Sequence, residues 1–139
     1  MKFKTMLASM AAICLLTACE DLFEDGSLQP DGSKPSLTIK NPTKNQTITT
    51  SQALPVHATI VDKDKVERIS VSVLANEDNS VLLDFSVAPN KTVVEYDTLV
   101  SLSGIVPGAY TLKISATDKR TNLAVNEVQF TVKPGKTNP

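Results

Sequence analysis

The stretch Pro107-Gly108-Ala109-Tyr110-Thr111-Leu112, continuing as Lys113-Ile114-Ser115-Ala116-Thr117-Asp118, decides the fold. After the Pro-Gly break, Tyr110, Leu112, Ile114 and Ala116 fall on one face, and Thr111, Lys113 and Ser115 on the other. A period of two over eight residues is the pattern of a half-buried strand and not of a helix.

The same alternation recurs on both sides of it. Ser36–Lys40 places Leu37 and Ile39 together before Asn41-Pro42 stops the run. Gln46–Thr50 reads as an edge piece. Ala53–Val61 puts Leu54, Val56, Ala58 and Ile60 on one face, with Pro55 marking an edge or bulge at its start. Asp62-Lys63-Asp64-Lys65 reads as a turn, and Glu67–Leu74 then carries Ile69, Val71 and Val73 inward. Val81–Val87 follows a loop at Glu77-Asp78-Asn79 and sets Val81, Leu83, Phe85 and Val87 inward. Thr92–Ser101 is a β-branched run whose adjacent Val93 and Val94 leave its register open. Leu123–Lys133 closes the series with Val128, Phe130 and Val132 inward. Leu123 and Val125 are out of phase with them, which predicts a bulge near Asn126-Glu127.

Seven or eight strands, with turns every 8–12 residues or so, predict an all-β sandwich, with a small barrel as the alternative. Gly108-Ala109-Tyr110-Thr111-Leu112 resembles the tyrosine corner of immunoglobulin-like and fibronectin-like domains. Its continuation to Asp118, with Asn122 and Val128–Val132, looks like the end of the cadherin-like and other Ig-like repeats of bacterial surface proteins. The resemblance covers residues 36–133 and implies an antiparallel Ig-like β-sandwich. It implies no activity.

The N-terminus sets the location. Lys2 and Lys4 precede an apolar run from Met6 to Leu16, too short to span a bilayer, which takes about 20 residues. Leu16-Thr17-Ala18-Cys19 then resembles the bacterial lipobox. That resemblance implies cleavage after residue 18, lipidation of Cys19 with palmitate-like chains, and a mature protein held on the membrane by two or three acyl chains. Glu20-Asp21-Leu22-Phe23-Glu24-Asp25 is similar to the acidic tracts that send Bacteroidota lipoproteins to the cell surface. Gly26, Pro30, Gly32 and Pro35 break regular structure. The expected organisation is a signal peptide (1–18), a flexible acidic tether (19–35), an Ig-like domain (36–133) and a polar tail (134–139). As a whole it resembles small Ig-like lipoproteins of the Bacteroidota outer membrane.

Composition narrows the chemistry. With Lys2 and Lys4 removed, the 14 basic residues fall to 12 against 15 acids, and no basic stripe is present, so nucleic acid is not an expected partner. Both cysteines, Cys14 and Cys19, lie in or at the end of the signal, which leaves the domain no disulfide and no thiolate metal site. His57 is the only histidine and alternates onto the solvent face, without the partners that a triad or a zinc site needs. The acids fall in turns and at outward positions, not as a paired set in a cleft. No enzymatic activity and no cofactor are expected.

Asp62, Asp64, Glu67 and Asp118 form the set whose hard oxygens would suit Ca²⁺. Cadherin-like repeats bind that ion, but the Asp-x-Asn-Asp-Asn linker is missing here, and Lys63 and Lys65 offset the acids. The reading is therefore turn acids and no metal. Asp97-Thr98-Leu99 resembles the Bacteroidota O-glycosylation acceptor motif, which implies Thr98 as a glycosylated residue. Glycan-stacking aromatics are scarce: Trp is absent, Tyr110 and Phe130 read as core, and Tyr96 is the one aromatic placed outside. The functional expectation is a non-catalytic accessory module, presented at the outer membrane to a protein partner or a glycan-uptake complex. The alternative is a structural subunit or anchor of a surface fibre.

Overall fold

The computed structural model describes residues 31–136. The signal peptide, Cys19, the acidic run and the last three residues lie outside them. Seven strands follow in order: β1 Ser36–Asn41, β2 Gln46–Thr49, β3 Ala53–Ala75, β4 Val81–Val87, β5 Lys91–Ser101, β6 Gly108–Asp118 and β7 Leu123–Lys133.

β3 organises the molecule. The two strands expected on either side of Asp62–Lys65 are one strand of 23 residues. Its first half pairs antiparallel with β1 on one side and β5 on the other. Its second half pairs with β4 and β6. Between Val61 and Val66 the register slips, and Lys65 takes φ 69°, so the chain bends from one layer into the other within a single strand. At the crossing Lys63 and Lys65 stay exposed, Asp64 is half-buried and Asp62 is buried.

One layer is thus β1, the first half of β3, and β5. The other is β4, the second half of β3, β6, β7 and β2. β2 pairs with β7 in parallel, the one departure from an antiparallel scheme. β1 reaches only to Asn41 opposite His57. Pro55, just before that point in β3, needs no ladder donor on the β1 side.

The core lies between the layers. Leu54, Val56, Ala58 and Ile60 meet Ile69, Val71, Val73, Leu112, Ile114, Phe130 and Val132, all essentially without exposure. These are the alternating sets that the sequence shows. Tyr110 and Phe130 stack with ring centroids 6.0 Å apart. The Tyr110 hydroxyl donates to the carbonyl of Val106, the tyrosine corner that the Gly108–Leu112 run predicts.

Three expectations change. β6 and β7 pair without a break from Gly108–Val132 to Thr117–Leu123, so there is no bulge at Asn126-Glu127. Leu123 and Val125 are simply on the outer face, opposite Thr117 and Ser115, and about half exposed. Tyr96 is not a surface platform: it faces the same way as Val94 and Val100, packs against the core, and burial raises its phenol pKa. Phe85 shares a face with Leu83 and Val87, as expected, yet is 36% exposed because β4 is the last strand of its layer.

Candidate functional site

The crossing in β3 and the β6–β7 turn lie at the same end of the sandwich. Lys119 N–H donates to the Lys65 carbonyl at 3.2 Å, and Val66 pairs with Asp118. Of the four sequence candidates this brings Asp64 and Asp118 together. Asp62, whose Oδ1 accepts the Asp64 N–H, and the exposed Glu67 are outside the group. The structure adds Asp31, which precedes β1. One carboxylate oxygen each of Asp31, Asp64 and Asp118 falls within 4.8 Å of the others.

Asp118 is fully buried and Asn122 is 5% exposed. Asp118 Oδ1 accepts the N–H groups of Arg120 and Asn122 at 2.8 and 2.9 Å, which shapes the turn. Its Oδ2 accepts Asn122 Nδ2 at 2.9 Å. The same Nδ2 donates to Asp31 Oδ1 at 2.7 Å, and Asn122 Oδ1 accepts the Gly32 N–H at 3.1 Å. The asparagine amide thus grips the incoming chain as a strand would, with one donor and one acceptor. Gly32 takes φ 79° there, a conformation that costs glycine little.

Two cations complete the arrangement. Lys63 Nζ donates to Asp31 Oδ2 at 3.0 Å and lies 3.7 Å from Asp64 Oδ2. Arg120 Nε is 3.8 Å from Asp31 and 3.6 Å from Asp64. Asp64 Oδ2 is buried with the Lys63 ion pair and without a hydrogen bond. The Ser33 N–H, then Lys63, hold Asp31 at a pKa of about 2. Burial, reinforced by the charges of Asp118, Asp64 and Asp31, pushes Asp62 up, against the pull of the Asp64 N–H. Hard oxygens of this kind could meet a divalent cation. Lys63 and Arg120 already sit on the Asp31 and Asp64 oxygens, and the set holds the incoming segment to the domain.

Asp31 and Asn122 were not among the sequence candidates. The available signals were the Asp31-Gly32-Ser33 turn and the spacing of Asp118 to Asn122, but nothing in either shows that two turns 91 positions apart meet. Likewise, the part of the expected tether from Asp31 to Pro35 is bound to the domain.

His57 is on the outer face, as expected. Its Nε2 lies 3.0 Å from Glu95 Oε2, and Thr59 donates to both oxygens of the same carboxylate at 3.0 Å. Lys40 is 3.6 Å away, so β1, β3 and β5 are braced together. His57, then Thr59, lower the Glu95 pKa. Thr98 is half-buried on the inward side of β5, between Tyr96 and Val100.

The opposite end sets the apolar, uncharged run 102–107 beside the acidic loop 76–80. β6 has 11 residues, which at roughly 3.3 Å each puts its two ends about 35 Å apart. At the Gly108 end a hollow of about 520 Å³ opens between Ala75–Glu77 and Val106–Tyr110. A second, of about 320 Å³, lies between Leu82-Leu83 and Ser103–Val106. Val106 is 72% exposed between them and Leu82 is 42% exposed.

No family model and no curated protein matches the sequence. Solved structures do match the fold. The fibronectin(III)-like modules of CbhA from Clostridium thermocellum superpose with a TM-score of 0.50 at 21% identity, over 73% of this chain and 48% of that one. OgpA from Akkermansia muciniphila gives 0.54 at 13% identity, over 74% of this chain and 30% of that one. This chain therefore spans about half the length of the CbhA structure and under a third of OgpA. At these identities the likeness shows the fold: an Ig-like or fibronectin-like β-sandwich module.

Proposed function

We propose that this module is a non-catalytic lipoprotein of the Bacteroidota type, anchored through acylated Cys19 at the outer membrane and surface-exposed. There it serves a protein partner or a glycan-uptake complex as an accessory. The observation that carries the reading is Leu16-Thr17-Ala18-Cys19 at the end of a short apolar run with a basic start.

The clamp supports it. A chain anchored at Cys19 reaches the domain at Asp31, and Asn122 holds it there. Residues 19–30 span at most roughly 40 Å. Pull on the anchor is then taken by the end of the sandwich that holds Asp31 and Asn122, and the end formed by the polar loop 76–80 and the apolar run 102–107 faces away. The mechanism is passive: the anchor raises local concentration, and the exposed end or a free strand edge recognises the partner.

The test is co-purification of the tagged protein from gently solubilised native membranes, beside a Cys19→Ala control and with a labelled palmitate feed. Label in the protein and a stoichiometric outer-membrane partner, both lost in the control, are the expected results. Unlabelled protein sinks the lipoprotein reading. Recovery with copies of itself alone moves the function to a fibre subunit.

A further inference from the structure

β4 is the edge of its layer and, among the described residues, pairs with β3 alone. Leu83, Phe85 and Val87 lie opposite Val73, Val71 and Ile69, which are fully buried. Yet Phe85 and Val87 remain more than a third exposed. The inward face of β4 is built as core, and the layer stops one strand too soon to cover it. On the outward face Asp84 lies opposite Ser72 and accepts its hydroxyl at 3.2 Å. Beside β4 the 320 Å³ hollow is lined by Leu82, Leu83, Ile105, Val106 and Tyr110.

Charge is distributed just as unevenly. Residues 69–90 carry Glu77, Asp78 and Asp84 and neither Lys nor Arg. Residues 101–112, which form the other wall, carry no charge at all. Natural edge strands are blunted with lysine, proline or bulges. In β4 the register shifts once, at Leu82 near the hairpin end; from Leu83 to Val87 the ladder is regular, and the one charge is a single acid.

We propose that β4 takes an extended peptide segment of a partner protein as an added strand, and that this segment alternates basic and apolar residues. Main-chain hydrogen bonds to the free edge supply affinity. The apolar residues of the incoming strand fall beside Leu83, Phe85 and Val87 and complete the covered face. Its basic residues fall on the side of Asp84, with Glu77 and Asp78 at the hairpin end. An acidic strand is repelled. The proposal rests on the accessory reading above and names the partner's chemistry.

The test uses the protein as it is isolated from cells, in detergent micelles, and a blocked heptapeptide of alternating Lys and Val. Amide shifts and hydrogen exchange are followed by NMR. Saturable binding is expected, with shifts and slowed exchange confined to residues 81–87 and 103–106. The Glu/Val peptide should bind at least tenfold more weakly. D84K should weaken the Lys/Val peptide about fivefold and strengthen the Glu/Val one. Four outcomes overturn the proposal: no saturation, equal binding by a backbone N-methylated peptide that cannot pair, shifts centred on residues 62–65 and 118–122, or protection of 81–87 that grows with protein concentration alone. The last would make a second copy the occupant. This assay needs no membrane partner, so its failure leaves the anchoring reading standing. Loss of palmitate label, conversely, does not touch it.

Discussion

The Asn122 amide donates to the Asp31 carboxylate at 2.7 Å across 91 positions of sequence. The bond ties the segment before the first strand to the turn before the last one. Asn122→Ala removes that grip and also leaves the buried Asp118 Oδ2 without its Asn122 donor. We expect a loss of about 1–3 kcal/mol, the range for a buried polar group left unpaired. Faster exchange at Gly32 and Ser33 should accompany it. Unchanged exchange there would show that the clamp does not hold in solution.

Tyr110→Phe deletes the hydroxyl that donates to Val106 and leaves the ring on Phe130. The expected cost is about 0.5–1.5 kcal/mol in chemical denaturation. An unmoved midpoint would mean that the corner contributes nothing to stability.

Asp31 and Asp62 respond to pH in opposite senses. Asp31 is held at about 2, below its ordinary 3.8, so its contribution is full above the ordinary value and is lost as the pH falls towards 2. Asp62 is raised, so it stabilises the fold only while protonated and opposes it once ionised. Asp62→Asn keeps an acceptor for the Asp64 N–H. It should be more stable than the parent at neutral pH, with the gain vanishing in acid. Asp31→Asn should flatten the acid limb of the stability profile. A pH-independent gain in the Asp62 variant would contradict the assignment.

Val125 and Ile114 both sit on paired strands, one facing out and one fully buried. Val125→Thr should change stability by no more than about 0.5 kcal/mol, as at other surface positions. Ile114→Ala should cost about 2–5 kcal/mol, the range for a truncated core aliphatic. Comparable losses at both would mean that the β6–β7 register is wrong.

Sequence alone determined the strand pattern. Leu54, Val56, Ala58 and Ile60, and again Tyr110, Leu112, Ile114 and Ala116, alternate because successive side chains in a strand point to opposite faces. The same local rule placed His57 outside, and the resemblance of Gly108–Leu112 to Ig-like domains implied the tyrosine corner. Tertiary structure decided what depends on partners distant in the chain. Local pattern reads Asp62–Lys65 as a turn between two strands; no described strand pairs with those four residues, but ladders on both sides of them make β3 a single strand that bends there. Leu123 and Val125 look like core residues needing a bulge, but an unbroken ladder to β6 overrules two exposed apolar side chains. Phe85 is more exposed than its pattern suggests because no strand follows β4, and Tyr96 is less exposed because it shares the inward face of β5 with Val94 and Val100. The Asp31–Asn122 clamp was illegible for the same physical reason: each residue is an ordinary turn former by itself, and only the closure of the sandwich brings the two turns within hydrogen-bonding distance.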